Sequence, residues 1–485
     1  MAKSPFFVGT GTSAKDKNLV LPLVNGDEAW KFVKNHIAMA KESIHLCFWM
    51  LNGNLEMIRD PKDTFDEPSK RNQNTLFYLL NSKRKEGVKV RILLWNIPTI
   101  PHSSVGPSVY DFSVRILGKI GNFEVMYQPH PTSTIGSWHQ KTIIVDNNYA
   151  FVGGMNAKEN DWDTADHAVY DQRRNPHDMK AARRKEKKHK QELPDFPPRQ
   201  DYMTLIIGEA VADVQANFVE RWNYCISQQY DYYKYATKLP TPKPSAGFST
   251  VPAQVSRTMP HYPPSPTGEN GIYLTYQKAV HLAKNYIYIE DQYFRSQMLA
   301  SDIALACKRN KKLRIIVVTP PDYPSKLEQD EKWKVASFSS YWTHKAFKTI
   351  QKVVRNFCLF YLQVSAKDKS GKLQYYPIDL HAKIMIIDDR WYTIGSCNIN
   401  DRGFQTEGEI NLSVSHESAK DLRKRIFTQN LCVKCPDDIE DALKLWFEHS
   451  KKNHMAWKKR TQAQSRVFPY NQKGPLLPIV PSNWF

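Results

Sequence analysis

The chain has 485 residues, 41% of them hydrophobic, and its 68 Lys and Arg exceed its 49 Asp and Glu to give a formal net charge of +19. That length accommodates one large or two medium-sized cores, and the positive charge implies an anionic partner such as nucleic acid, an acidic membrane or a phosphate substrate. The amino terminus lacks the apolar stretch of a signal peptide and no run reaches the roughly 18 apolar residues of a membrane span, so we expect a cytoplasmic or peripheral membrane protein, with export by a signal-independent secretion system left open.

The predicted elements repeat in the two halves of the chain. In each half a helical stretch leads into an apolar strand, and a basic helical segment then leads into a second apolar strand. The strands are predicted at 43–49 and 88–95 in the first half and at 285–290 and 313–318 in the second. Because strands alternate with helices, we predict α/β lobes with sheets in which parallel pairing dominates.

Two segments have a composition that is unusual for a folded core. Residues 172–200 are basic and end in a Pro-rich piece, which predicts an exposed insertion with one polar helix. Residues 239–270 are rich in Pro and Ser, which is typical of a linker. We therefore predict a first lobe at 1–238, a linker at 239–270 and a second lobe at 271–485 that ends in an aromatic and Pro-rich tail.

The cysteines argue against a disulfide framework. There are seven, an odd number, and most are scattered in apolar runs, as buried small hydrophobic residues are. Cys432 and Cys435 form a single C-x-x-C pair, but a second pair at zinc-binding spacing is missing. We expect reducing surroundings during folding and no metal at this pair.

A third repeated element contains the residues best suited to chemistry. His, Lys, Asp, Gly and Asn recur at the same offsets in both halves, which chance does not explain. The two copies are His139, Lys141, Asp146, Gly153 and Asn156, and His381, Lys383, Asp388, Gly395 and Asn398. The first copy begins 95 residues after Ile44 and the second 94 residues after Ile287, so we predict a duplicated fold with pseudo-two-fold symmetry.

Strand geometry accounts for the spacing within each copy. Residues i and i+2 of a strand share a face, so His139 and Lys141 point the same way. Asp146 begins a hairpin turn, after which the chain returns as a second strand toward Asn156. Each half therefore offers an imidazole, an ammonium and an amide, whereas the turn positions of Asp146 and Asp388 suggest a role in the scaffold more than in chemistry.

Two carboxylates are candidate partners of the histidines. Asp201 and Glu409 each stand at the head of an apolar strand, after the histidine of their own half. A carboxylate on one imidazole nitrogen fixes the tautomer and stabilises the imidazolium. We interpret both as histidine-orienting residues, with an ordinary acid at a strand end as the alternative.

The two H-x-K-x4-D motifs resemble those of the phospholipase D superfamily. Residues 218–223, 286–294 and 395–402 also resemble segments of that family, most closely the eukaryotic-like and bacterial effector phospholipases D, whereas the insertion at 172–200 departs from its pattern. The resemblance implies two similar α/β/α sandwich lobes with the active site at their interface. A monomer is expected, because one chain carries both motifs.

The resemblance also implies a mechanism. By analogy, His139 attacks phosphorus to form a phosphohistidine and His381 is the general acid and base, although the sequence alone does not order them. The non-bridging oxygens would be bound by the lysines and amides of both motifs, Lys141, Lys383, Asn156 and Asn398. The implied catalytic set includes the motif aspartates Asp146 and Asp388. Because these groups can replace a metal, neither a metal nor a cofactor is required.

Two substrate classes remain open. The leading one is a glycerophospholipid on an anionic membrane surface, cleaved to phosphatidic acid and a head-group alcohol, with transfer to an acceptor alcohol as a side reaction. The alternative is a nuclease or another phosphodiesterase acting on nucleic acid. The net charge favours that alternative, but the basic excess is partly concentrated in one insertion instead of being interleaved with aromatic residues. The tail at 467–485 offers apolar groups to a lipid interface, or else packs on the core.

Overall fold

The computed structural model describes residues 4–59, 71–96, 123–131, 136–230, 236–242, 246–321, 332–354 and 357–470. Within these ranges, no helix combines the length and the apolar character that crossing a membrane requires. The end of the predicted tail, 471–485, lies outside the described residues.

The first half of the chain forms a seven-stranded sheet flanked by helices. Its elements are β1 (Asn18–Val24), α1 (Asn25–Met39), β2 (Ser43–Phe48), α2 (Leu76–Lys85), β3 (Lys89–Asn96), β4 (Glu124–Pro129), β5 (Thr142–Val145), β6 (Tyr149–Gly153), α3 (Ala181–Lys190), β7 (Arg199–Gln200), β8 (Tyr202–Gly208) and α4 (Val211–Ser227), with 3-10 turns at Glu159–Asp161 and Gln172–Arg174. The strand order is β1-β8-β6-β5-β2-β3-β4.

The second half repeats this plan with additional strands. Its elements are β9 (Ala253–Met259), β10 (Glu269–Asn270), α5 (Gly271–Leu282), β11 (Tyr286–Asp291), α6 (Gln297–Arg309), β12 (Arg314–Val318), α7 (Lys332–Gln351), β13 (Phe357–Lys367), β14 (Leu373–Pro377), β15 (Asp379–Leu380), β16 (Lys383–Ile387), β17 (Trp391–Gly395), α8 (Asp401–Gln405), β18 (Glu409–Ser415), α9 (Ser418–Leu431), α10 (Ile439–Lys458) and β19 (Val467–Pro469). The strand order is β10-β9-β18-β17-β16-β11-β12-β13-β14, and β19 joins β13.

The prediction that parallel pairing dominates is wrong, although the α/β class and the four predicted strands are confirmed. Parallel pairs join β2 to β3 to β4 and β11 to β12 to β13, where helices or long connections link the strands. The motif hairpins β5–β6 and β16–β17 and the strands beyond them pair antiparallel. A tight turn reverses the chain, so each motif adds an antiparallel half to its sheet.

The central strands are buried on both faces. Every residue of β5 and of β16 is buried, as expected for apolar runs such as Thr-Ile-Ile-Val that are covered on both sides. One cluster of buried apolar side chains includes Ile206 and Trp222 of the first half together with Ile386 and Trp446 of the second. The two lobes therefore share a continuous core, and their relative position is set by packing.

The linker interpretation does not hold for residues 253–259. This segment forms β9, which pairs with β18 along its length and is mostly buried. Its sequence, Ala-Gln-Val-Ser-Arg-Thr-Met, contains two β-branched residues, Val255 and Thr258, but the surrounding Pro and Ser obscure that signal.

The basic insertion contains the predicted polar helix, α3, but it is not exposed throughout. Arg174 is fully buried and pairs with Asp163. Arg184 and Lys187 are also buried and donate hydrogen bonds to backbone carbonyls. Composition could not separate these cations from the solvated ones, because burial here depends on local carbonyl and carboxylate partners.

The described part of the tail packs on the core. Val467 and Phe468 are buried in β19, which pairs antiparallel with β13. These residues are therefore not available to a lipid interface. The seven cysteines all lie in described parts of the chain, and none forms a disulfide; Cys432 is exposed and Cys435 is buried.

Candidate active site

Backbone hydrogen bonds between the lobes hold both motif histidines. The His139 N–H donates to the Gly408 carbonyl at 2.8 Å, and the Gly408 N–H donates to the Ser137 carbonyl at 3.0 Å. In the symmetry-related position the His381 N–H donates to the Gln200 carbonyl at 2.9 Å, where β15 pairs with β7. Each histidine is thus fixed to the residue that directly precedes a carboxylate of the other lobe.

The carboxylates pair with the histidines across the lobes. His139 Nδ1 lies 2.8 Å from Glu409 Oε1, and His381 Nδ1 lies 2.7 Å from Asp201 Oδ2. The sequence placed each acid after the histidine of its own half, but the structure pairs it with the other one. Because Nδ1 is engaged, the Nε2 atom of each imidazole is the one that can face a substrate.

The two motif lysines lie beside the histidines and are buried. Lys141 donates to the His139 carbonyl, and Lys383 donates to the His381 carbonyl at 2.5 Å and to Gln292 Oε1 at 3.3 Å. Burial lowers the pKa of Lys141 to about 7 and also lowers the pKa of Lys383. An anion entering the pocket would favour the charged form of both.

The electrostatics show that the two motifs converge on one pocket. Burial, followed by the ammonium of Lys141, lowers the pKa of His139 well below its usual value, and Lys383 of the other lobe acts in the same direction. Burial, followed by Arg199 and Lys383, likewise lowers the pKa of His381, and Lys141 contributes from the opposite lobe. Both imidazoles are therefore held neutral, which is the form that has a nucleophilic nitrogen.

Burial also changes the pKa values of the two carboxyl groups that pair with the histidines. It raises the pKa of Glu409 to about 8 and that of Asp201 to about 7. A histidine and a carboxylate this close titrate as a unit, so each pair retains a proton near neutral pH that can pass to the imidazole. Such a pair can donate a proton to a leaving group or accept one from a nucleophile.

The motif asparagines each lie three positions beyond the end of the second hairpin strand, β6 or β17. Asn156 is buried, and its Oδ1 accepts a hydrogen bond from the Met50 N–H at 3.3 Å. Asn398 is also buried, and its Oδ1 has no hydrogen-bond partner among the residues that the structure describes. A buried amide with unused capacity is suited to binding a polar ligand.

The motif aspartates lie elsewhere. Asp146 and Asp388 occupy turns with left-handed backbone, at φ angles of 51° and 55°. The Asp146 carboxylate accepts hydrogen bonds from the backbone N–H groups of residues 41–43 at 2.8 Å each, and Asp388 accepts from those of 284–286 at 2.6 to 2.8 Å. Both carboxylates thus fasten the motif hairpin to the start of the neighbouring strand. Their inclusion in the catalytic set is not supported by this placement, whereas the scaffold interpretation is.

Sequence reasoning missed an asymmetry between the two halves. In the second half the Ser396 hydroxyl donates to Glu409 Oε2. The equivalent residue in the first half is Gly154, where a Cβ atom would overlap the carboxylate of Asp201. The difference is visible in the sequence, where Gly153-Gly154 aligns with Gly395-Ser396. Its consequence becomes clear only in the structure, where position 154 contacts Asp201 and position 396 contacts Glu409.

Sequence reasoning also missed Trp49. Its ring stacks on Trp95 with centroids 5.6 Å apart and meets His139 edge-on at 5.7 Å. The Lys141 ammonium lies 5.8 Å from the same ring. An aromatic wall therefore borders the first motif.

One group of side chains has ligand atoms close enough for a metal ion. Among the described residues, Asp161, Asp201 and His381 place one such atom each within 4.8 Å of one another. The cluster is already occupied by protein cations, because Arg199 Nε lies 2.5 Å from Asp161 and Lys158 lies 3.8 Å from it. These residues fit an internal ion-pair network better than a divalent cation.

One cavity lies apart from the two motif histidines. It has a volume of about 530 Å³ and lies between residues 166–173, 364–366 and 463–466. Neither histidine, neither lysine and neither asparagine of the motifs lines it.

Comparisons with known proteins agree with the duplicated motif. The family described as "Phospholipase D" matches residues 36–237, and the one described as "Cardiolipin synthase, PLD-like domain" matches residues 276–431. Phospholipase D A of Dictyostelium discoideum is 27% identical over 88% of this chain and 35% of its own length. Phospholipase D alpha 4 of Arabidopsis thaliana is 23% identical over 88% of this chain and 64% of its own length. The chain thus spans between about one third and two thirds of these relatives.

A solved structure has a similar fold. Phosphatidylserine synthase of Haemophilus influenzae Rd KW20 superimposes with a TM-score of 0.54 at 12% identity, covering 86% of this chain and 88% of that one. At this identity the similarity concerns the fold alone.

Proposed function

We propose that this chain, which belongs to the phospholipase D superfamily, is a phosphodiesterase that hydrolyses the distal phosphodiester bond of glycerophospholipids to phosphatidic acid and a head-group alcohol. The observation that carries the proposal is the reciprocal pairing of His139 with Glu409 and of His381 with Asp201 around two buried lysines. A pocket with two imidazoles, each paired with a carboxyl group, and two lysines is suited to nucleophilic displacement at the phosphorus of a phosphodiester.

The proposed reaction has two steps. His139 Nε2 attacks phosphorus and forms a P–N bond, while the bond from phosphorus to the head-group oxygen breaks and His381 gives that oxygen a proton. Water then loses a proton to His381 and attacks phosphorus, which breaks the P–N bond and restores His139. A small primary alcohol can replace water in the second step and yield a phosphatidylalcohol.

The charge of the phosphate is held by four side chains in this proposal. Lys141 and Lys383 are buried cations, and Asn156 and Asn398 are buried amides of the same two motifs. Negative charge grows on the non-bridging oxygens during displacement, so fixed donors at this position stabilise the transition state.

The lipid substrate is supported by the relatives. The curated relatives named above are phospholipases D. The net charge of +19 suits a protein that works at an anionic membrane surface.

A second candidate is a nuclease that acts on single strands. The stacked rings of Trp49 and Trp95 next to His139 favour it, because unpaired bases stack on aromatic faces. In the lipid reaction the same wall would contact the apolar part of the substrate.

One experiment separates the two candidates. The protein is incubated with mixed phospholipid vesicles, with single-stranded DNA and with RNA, each with and without butanol, beside His381→Ala as the control. We expect phosphatidic acid, joined by phosphatidylbutanol when butanol is present, and no product from the variant. Shortened strands without any lipid product would replace the phospholipase assignment with the nuclease.

A further inference from the structure

We propose that α3, the β13–β14 hairpin and the carboxy-terminal turn of α10 form one docking face for an anionic phospholipid bilayer. This inference rests on the proposed function, because an enzyme that cleaves membrane phospholipids must bind a membrane. The face is defined here as residues 181–190, 367–372 and 455–460.

The three segments are joined by hydrogen bonds. The Lys369 ammonium at the hairpin turn donates to the carbonyl of His189 in the last turn of α3. The Tyr375 hydroxyl of β14 donates to the carbonyl of Thr461, just after α10. Segments that are distant in sequence therefore form a continuous surface with the hairpin in the middle.

The face lies at the end of the molecule that contains the motif histidines. At that end of the second sheet Asp291, the last residue of β11, pairs with Lys383. β13 runs parallel to β12 and continues beyond Val318, its last residue, so the hairpin projects from the same end. His381 lies nine positions after Lys372 at the turn, at most about 30 Å of extended chain.

The charge of the face is strongly positive. Residues 367–372 contain three exposed lysines and one acid, Asp368, and residues 455–460 contain three exposed basic residues and no acid. Residues 181–190 contain six basic residues and one acid, Glu186, although two of the six pair with it. The unneutralised excess therefore lies mainly at the hairpin and at the end of α10.

Apolar side chains stand among these cations. Trp457 is 50% exposed and Met455 is 49% exposed, and both are next to Lys458 and Lys459. A helix that presents Trp and Met beside lysines matches the composition of interfacial helices, whose apolar groups enter the acyl boundary while the cations meet lipid phosphates. A polyanion such as RNA would satisfy the cations but would leave Met455 in water, so the bilayer is the better fit.

The apolar part of the proposal is tested by vesicle binding. Every protein carries His381→Ala, so that no lipid is consumed, and binding to vesicles of phosphatidylcholine with phosphatidylglycerol is measured by co-sedimentation. We expect Met455→Ser with Trp457→Ala to weaken binding by at least about tenfold. Leu305→Ser, which changes an apolar side chain of equal exposure on α6, should leave binding unchanged.

The charged part is tested with lysines. Changing Lys367, Lys369 and Lys372 to Ser should weaken binding by about tenfold or more and reduce its salt dependence. The control changes three exposed lysines at the opposite end of the same sheet, Lys308, Lys311 and Lys312. Equal losses in the two triple variants would show a nonspecific charge effect and overturn the docking face.

Two further results would also overturn the proposal. Equal binding of the His381→Ala protein, with its docking face unaltered, to pure phosphatidylcholine and to anionic vesicles would remove the role of the cations. Binding to heparin as tight as binding to vesicles, and insensitive to Trp457→Ala, would identify a polyanion site. Turnover of a short-chain soluble phospholipid separates this question from the proposed function: turnover without vesicle binding rejects docking alone, and vesicle binding without turnover of any lipid rejects the phospholipase alone.

Discussion

Nδ1 of His139 lies 2.8 Å from Oε1 of Glu409, a residue 270 positions further along the chain and in the other lobe. The equivalent relationship joins His381 to Asp201 over 180 positions in the reverse sense. Each lobe therefore supplies the histidine of one pair and the carboxylate of the other, and the arrangement of the site depends on the packing between them.

The two histidines should be essential for turnover but not for folding. His139→Ala and His381→Ala should each lower kcat by at least about a thousandfold, because the first substitution removes the nucleophile and the second removes the proton donor. Thermal unfolding followed by circular dichroism should change little, since neither side chain is part of the shared core. Residual kcat within about tenfold of wild type in either variant would exclude the two-histidine mechanism.

Gly154 should be a position where one methyl group disables the site. Gly154→Ala places a Cβ atom against the Asp201 carboxylate, which must then shift from the position in which it meets His381. We expect kcat/KM to fall by about ten to a hundredfold, as when a histidine loses its orienting partner. Gly9→Ala is the matched control, because a Cβ atom at Gly9 meets nothing within 4 Å. An unchanged kcat/KM in Gly154→Ala would mean that the Asp201 contact is dispensable.

The motif aspartates should matter for stability more than for chemistry. Asp146→Ala and Asp388→Ala each leave backbone N–H groups without their acceptor, so the free energy of unfolding should fall by about 2 kcal/mol or more. Activity per folded molecule should stay within a few-fold of wild type. The check combines denaturant unfolding with active-site-normalised turnover, and lost turnover at unchanged stability would return these residues to the catalytic set.

Activity should decline as the pH rises through about 7 to 8. Burial raises the pKa of Glu409 to about 8 and that of Asp201 to about 7, so the two pairs lose their protons as the pH rises through this range. Burial lowers the pKa of Lys141 to about 7, so a phosphate-binding charge also weakens over this range. A profile of kcat/KM against pH on a soluble substrate tests this, and activity that keeps rising through alkaline pH would contradict it.

Turnover should persist in excess EDTA. The Asp161, Asp201 and His381 cluster has the spacing for a cation, but Arg199 and Lys158 already neutralise Asp161. Phosphate binding is assigned to lysines and amides, which a chelator does not affect. Loss of activity in EDTA, with recovery on adding a divalent ion and metal retained after dialysis, would show that the cluster binds a metal.

The sequence predicted those parts of the molecule that local spacing determines. Asp146 and Asp388 start the predicted hairpin turns, and their left-handed backbone is one that Asp adopts readily. The pairing of Glu409 with His139 could not be predicted, because it depends on how two lobes of nearly equal pattern face each other. β9 was hidden for a different reason, since the composition of residues 239–270 outweighed a seven-residue strand.

Burial of charge was also beyond the reach of composition. Arg184 and Lys187 belong to a run of cations that looks solvated, yet both are buried against backbone carbonyls. The position of Trp49 beside His139 likewise follows from the neighbouring order of β2 and β5 in the sheet, which a repeat in the sequence does not specify.

The exchange of carboxylates between the lobes constrains how this chain can change over time. A substitution at Glu409 changes the protonation of His139, which belongs to the other copy of the motif. Neither copy can therefore change at its carboxylate without affecting the other copy. The two copies differ at Gly154 and Ser396: the Ser396 hydroxyl donates a hydrogen bond to Glu409, whereas a side chain at Gly154 would overlap the Asp201 carboxylate. A change in either half therefore alters a histidine–carboxylate pair to which the other half also contributes.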